Sequence, residues 1–236
     1  MNFKRRETNK LTRVIIVRHC EAYGNYERIF QGHSDSGITE NGKIQGKLIA
    51  ERFKDIHYDA IYSSPLMRTY KTAEFINTYH KLPIIKDKDL IEINGGHWEG
   101  EKWADLPELF PEEAYAWANE PWKFVPLGGE KMTEVYDRIW KKVLEIVKKH
   151  TNNTVCIVSH GCAIRNFLCR AQGLPITELN TIDWCDNTGV NIIDFDKDLN
   201  PEIILYNDVS HLDKDTSTLQ NQSWWKRDQS KELRFE

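Results

Sequence analysis

Along the 236 residues the period of the apolar positions changes repeatedly, and each change marks an element. Val14-Ile15-Ile16-Val17 is an unbroken β-branched run between Arg13 and Arg18, the pattern of a short strand buried on both faces. Thr39 offers an N-cap, and Ile44, Leu48, Ile49 and Phe53 then recur near a helical period up to Asp55. Ala60-Ile61-Tyr62 predicts a second strand. Ser64-Pro65 supplies an N-cap followed by proline at the first helical position, predicting a helix from Pro65 to about Tyr79 that buries Leu66, Tyr70, Ala73 and Ile76. Leu82 to Lys86 is a candidate third strand. Farther on, Glu130 to His150 reads as a long amphipathic helix with Val135, Ile139, Val143, Ile146 and Val147 on one side. Thr154 to Val158 is another buried strand, followed by a helix led by Gly161. Val190 to Phe195 and Ile203 to Tyr206 read as late, neighbouring strands.

Two stretches break the alternation. Between Glu92 and Gly129 the chain carries Gly95-Gly96, Pro107, Pro111, Pro121 and Pro126, together with Trp98, Trp103, Trp117 and Trp122. An insertion of loops and short helices at about 93–128, packed by aromatics, is expected there as a lid or substrate wall of a single 236-residue domain. The tail at about 209–236 is polar and expected to be irregular. Its Trp224-Trp225 pair leaves open both anchoring to the body and self-association into a homo-oligomer. Strands alternating with helices imply an α/β layer fold with a mostly parallel sheet, in which ligands bind beyond the carboxyl ends of the strands.

Composition narrows the class. A hydrophobic fraction of 40% with 29% charged residues is that of a globular chain. The formal net charge of -4 and the lack of a long Lys/Arg block argue against a nucleic-acid partner. No stretch approaches the roughly 20 apolar residues of a membrane helix, and the run after the basic start Met1 to Lys10 is too short for a signal peptide. The five cysteines are odd in number and form no Cys-x-x-Cys pair, so a reduced, cytoplasmic protein with no membrane partner is expected.

At the predicted strand ends stand Arg18-His19, Ser63-Ser64 with Arg68 one turn later, and His160-Gly161. A histidine at a strand end is by itself more often structural. Arginine in a first helical turn, however, is repelled by the helix dipole unless an anion lies between them. Two arginines, two histidines and helix N-termini at one edge suit phosphate: guanidinium forks match its oxygens, and neutral imidazole can accept a phosphoryl group. Phosphoryl transfer asks mainly for positioning and charge neutralisation, which these side chains supply without a metal.

These residues resemble the histidine phosphatases, the phosphoglycerate mutase-like superfamily, over about Arg13 to Asp208. The resemblance is carried in order by Arg18-His19-Cys20-Glu21-Ala22 with Asn25; Gln31-Gly32 with Asp35, Thr39 and Gly42; Ser63-Ser64-Pro65-Leu66-x-Arg68 with Thr72-Ala73; Leu90-x-Glu92 with Gly96-x-Trp98-Glu99-Gly100; Gly128-Gly129-Glu130; and Ser159-His160-Gly161 with Ile164-Arg165. It implies a three-layer α/β/α sandwich around a mostly parallel sheet, with neither cofactor nor metal. His19 would become the phosphohistidine, and Arg18, Arg68 and His160 would clamp the phosphoryl oxygens. Asn25, Gln31, Gly32 and the Gly161 N–H would lie in the phosphate and substrate site, and Glu92 would be the general acid and then the base. Cys20 and Ala22 depart from the family's usual Gly and Thr; a small effect is expected of the first and weakened phosphate affinity of the second.

Competing readings are weaker. A zinc site of His19, Cys20, His160 and Cys162 conflicts with the alternation of strand residues and with two nearby arginines. Glu99 and Glu21 rival Glu92 in acidity but are expected to be solvated surface residues. The remaining histidines are read as structural or surface residues, and the insertion tryptophans as packing rather than ligand stacking. Between Glu101 and Glu134 there is no Arg, only Lys102, Lys123 and Lys131. That favours a metal-independent phosphomonoesterase of a small phosphorylated metabolite over a cofactor-dependent phosphoglycerate mutase, and it suggests a substrate with little negative charge beyond the phosphoryl group. A non-catalytic phospho-ligand-binding relative is disfavoured by the retention of all five candidate catalytic residues.

Overall fold

The computed structural model describes residues 11–221. Strand β1 (Thr12–Arg18) is followed by a short helix α1 (Tyr23–Glu27), then α2 (Glu40–Phe53), β2 (Ala60–Ser63), α3 (Met67–Ile76) and β3 (Ile84–Lys86). The insertion contributes α4 (Leu106–Leu109) and α5 (Pro111–Asn119) between 3-10 turns. The chain continues through α6 (Met132–Lys149), β4 (Thr154–Ser159), α7 (Gly161–Ala171), β5 (Val190–Phe195) and β6 (Pro201–Asp208). The six strands form one sheet in the order β3-β2-β4-β1-β5-β6. Neighbours among β1 to β4 pair in parallel, whereas β5 runs antiparallel to both β1 and β6.

Strand alternation splits the core into two layers. Val14 and Ile16 of β1 join Val155 and Ile157 of β4 in a core with Ile139 and Val143 of α6 and Ile164 and Phe167 of α7. Ile15, Val17, Cys156 and Val158 face the other way, onto Ile49 and Phe53 of α2 and Ala73 and Ile76 of α3. A β-branched residue buried in such a layer contributes about 1.5–3 kcal/mol. The sheet is therefore sandwiched between helices, as the strand pattern requires.

Several local expectations shift. The helix after β2 starts at Met67, not at Pro65, because Leu66 is extended; the Ser64 hydroxyl accepts from Leu66 N at 3.4 Å and meets His160 Nε2 at 2.8 Å. Leu66 and Tyr70 are only half-buried, and that helix buries Arg68, Thr69 and Thr72 instead. On α2, Ile44 is exposed while Gln45 and Gly46 are buried. The insertion is continuous with the first core layer through Trp98, Leu106, Trp117 and Phe124. The tail is irregular up to residue 221, yet Thr216, Ser217, Thr218 and Leu219 are buried. Trp224-Trp225 lie outside the described residues.

Candidate active site

Strand β1 leads to α2 on one face of the sheet, and its parallel neighbour β4 leads to α7 on the other. The crevice between the carboxyl ends of these two strands is thus a switch point of the fold. A cleft of about 600 Å³ including its open mouth lies there, lined by Arg18, His19, Asn25, Gln31, Arg68, Glu92 and Gly161. Gly161 opens α7 against the arginine at the end of β1: a Cβ on it would sit 3.3 Å from Arg18 Nε.

His19 is almost fully buried, and its Nδ1 lies 2.7 Å from the Cys20 carbonyl oxygen. A carbonyl only accepts, so Nδ1 carries the proton and Nε2 keeps its lone pair. Burial holds the His19 pKa well below 6.5, helped by the charges of Arg68 and Arg18. Cys20 does not line the cleft; its N–H donates to Thr72 Oγ1, and burial pushes its thiol up to about 12.

Arg18 donates through one terminal nitrogen to the Cys185 carbonyl at 2.6 Å, while its buried Nε–H meets no acceptor among the described residues. Arg68 also lines the cleft, but its N–H groups face protein acceptors: Gly32 O at 2.7 Å, Ser34 O at 2.8 Å, Gln31 O and Asp35 at 3.4 Å, and His160 Nδ1 at 3.2 Å. A guanidinium only donates, so His160 accepts at Nδ1 and its Nε2–H donates to Ser64 Oγ at 2.8 Å. His160 is completely buried 5.3 Å, centroid to centroid, from the His19 ring and is not among the cleft-lining residues. Gly32 likewise stands behind the cleft as an acceptor for Arg68.

Glu92 caps α7 from outside the helix. Its Oε1 accepts from Ile93 N and Ala163 N at 3.0 and 2.9 Å, and its Oε2 from Cys162 N at 3.0 Å. Oε1 is thereby saturated, leaving Oε2 the lone-pair direction on which a proton can sit. Burial raises the Glu92 pKa against these N–H groups and Arg68. Neither rival carboxylate is an exposed surface residue, Glu21 being buried and Glu99 half-buried. Glu99 accepts from the backbone N–H of Gly32, His33, Ser34 and Gly95. Burial works to raise its pKa, yet these bonds hold it below the usual value. Glu21 is buried and bonded by Thr39, Asn41 and Thr218.

This arrangement coincides with a family match covering most of the chain: residues 14–209 fit the histidine phosphatase superfamily (branch 1). The chain belongs to that superfamily. Among its relatives, phosphoserine phosphatase 1 of Hydrogenobacter thermophilus is 36% identical over 202 residues, covering 86% of this chain and 95% of its own. The metal-independent phosphoserine phosphatase of Arabidopsis thaliana is 32% identical over 207 residues, covering 86% and 84%. The crystal structure of a phosphoserine phosphatase from Entamoeba histolytica in complex with 3-phosphoglyceric acid is similar with a TM-score of 0.75 at 26% identity, covering 85% and 99%. The α/β fold with its mostly parallel sheet is thus that of a histidine phosphatase.

Sequence reasoning missed part of this histidine phosphatase site. Arg28, just after α1, adds a cation to the lining, and Phe30, Trp103, Trp117 and Trp184 form an aromatic wall. Trp103 and Trp117 therefore both pack and face the cleft. Asn187 Nδ2 holds the His19 carbonyl at 2.8 Å, and Thr188 N holds that of Arg18 at 3.1 Å. The signal for residues 184–189 is topological: an antiparallel β5 starts beside the carboxyl end of β1, which pattern alone does not reveal.

Proposed function

We propose that this protein is a metal-independent phosphomonoesterase that hydrolyses a small phosphorylated metabolite through a phosphohistidine on His19. The observation that carries the reading is the bond from His19 Nδ1 to the Cys20 carbonyl, which leaves an unprotonated Nε2 beside Arg18, Arg68 and Glu92. Nε2 attacks phosphorus and forms the N–P bond as the P–O bond to the leaving group breaks, and Glu92 gives that oxygen its proton. Water, deprotonated by the Glu92 carboxylate, then attacks phosphorus, breaks the N–P bond and releases inorganic phosphate. Arg18 supplies the Nε–H for a phosphoryl oxygen together with the N-terminus of α7, with Asn25 and Gln31 alongside. Arg68 contributes its charge, and His160 with Gly32 holds Arg68 in place.

The substrate fits a phosphomonoester of a small amino or hydroxy acid. Phosphoserine and 3-phosphoglycerate are named with the relatives, and Arg28 at the lining offers a cation for a carboxylate. Such a substrate carries more charge than the few basic residues of the insertion suggest, and Arg28 lies outside that insertion. The buried free thiols suit a reducing compartment, the cytoplasm.

The test is a panel of phosphomonoesters in excess EDTA. Phosphoserine or phosphoglycerate is expected to turn over, and no turnover of any ester overturns the reading. Arg28→Ala is expected to raise KM for the carboxylate substrates more than for an uncharged aryl phosphate. Interconversion of 2- and 3-phosphoglycerate outrunning phosphate release would make the protein a mutase instead.

A further inference from the structure

The family match ends at residue 209, yet the segment beyond it returns to the underside of the active site. Ser217, only 1% exposed, donates its hydroxyl to Asp186 Oδ2 at 2.5 Å. The backbone N–H groups of Asn187 and Leu219 donate to Asp186 Oδ1 at 2.7 and 3.1 Å. Asp186, itself 3% exposed, directly follows Cys185, whose carbonyl accepts the Arg18 guanidinium. That guanidinium still carries the buried Nε–H without an acceptor among the described residues.

We propose that residues 216–219 are a clasp that occupies Asp186, with Ser217 as its positioning residue, so that Arg18 keeps its Nε–H for the phosphoryl group. A buried carboxylate oxygen stripped of its donor is costly and seeks another. Among the carboxylates, Asp186 already acts most strongly on Arg18, ahead of Glu92. With Ser217 removed, Asp186 turns to Arg18, and a guanidinium–carboxylate pair competes with the substrate for the same donor. The clasp thus tunes phosphate affinity from outside the catalytic residues, and the inference rests on the phosphatase reading above.

The test is a cycle of Ser217→Ala, Asp186→Asn and the double variant in the full chain. Phosphate affinity is measured by titration calorimetry with inorganic phosphate, and kcat and KM with phosphoserine. Ser217→Ala is expected to weaken phosphate binding about tenfold, equivalent to about 1.4 kcal/mol, and to raise KM with kcat nearly unchanged. The double variant, lacking the competing charge, is expected to regain wild-type affinity, and Ser217→Thr to keep it. Unchanged phosphate affinity in Ser217→Ala, or a double variant as weak as Ser217→Ala, overturns the clasp. Should Ser217→Ala fail to fold, Asp186→Asn alone decides: affinity equal to or tighter than wild type supports the proposal, and weaker affinity overturns it. A wild type that binds phosphate but hydrolyses nothing overturns the phosphatase reading alone, since the affinity cycle still reads the clasp.

Discussion

In the proposed reaction His19 acts as a neutral imidazole, so it must be kept from becoming a cation. Burial does most of this, and Arg68 and Arg18 add to it, so the acid limb of kcat/KM is expected well below pH 6.5. A limb centred at or above 6.5 would contradict the neutral imidazole. His19→Ala is expected to abolish hydrolysis, measured as phosphate release. Glu92 is biased the other way, its pKa raised by burial, so the descending limb reports the loss of its proton. Glu92→Gln is expected to lower kcat by about 10²–10⁴ for alkyl phosphates, where the leaving group needs that proton. The loss should be smaller for an aryl phosphate, whose leaving oxygen needs less help; an equal loss on both would remove Glu92 from the acid role.

At the scale of elements, Glu99 ties the loop carrying Gly32 and Ser34 to the start of the insertion through four backbone N–H groups. That loop in turn supplies the carbonyls that hold Arg68. Glu99→Ala is expected to cost about 2 kcal/mol, read as a lower urea midpoint, and to raise KM through a displaced Arg68. Unchanged KM would mean that the loop holds its shape without the carboxylate. The strands of β-branched residues and the long helix α6 were legible because burial on both faces, or along one stripe, leaves a periodic trace. Arg18, His19 and Glu92 were legible from their motifs and positions at strand ends. Arg28 and Trp184, which line the cleft, and Asn187, which holds the His19 carbonyl, were not, because the turn after α1 and the reversal into β5 bring them there, and no local period encodes either. Glu21 and Glu99 were misread for a related reason: a carboxylate bonded by distant side chains, as Glu21 is, or by backbone N–H groups, as Glu99 is, has the same one-letter trace as a solvated one.

For the molecule as a whole, the neutral histidines make stability depend on pH. His19 and His160 both have folded pKa values well below 6.5. Below that value the unfolded chain binds protons that the folded one refuses, so their contribution is complete above pH 6.5 and declines as pH falls. The decline approaches about 1.4 kcal/mol per pH unit for each histidine. Glu92, raised by burial, works the opposite way: its contribution is present at low pH and is lost as pH rises above 4.5. Urea midpoints are expected to drop between pH 7.5 and 5.5, and a flat profile would contradict the buried, neutral pair. The fold is also stitched across 197 residues, since the Thr218 hydroxyl donates to Glu21. The ribosome makes Glu21 well before it makes this donor. During translation Glu21, two residues after the candidate nucleophile, therefore waits for everything up to Thr218, β6 included, before its hydrogen bonds are complete.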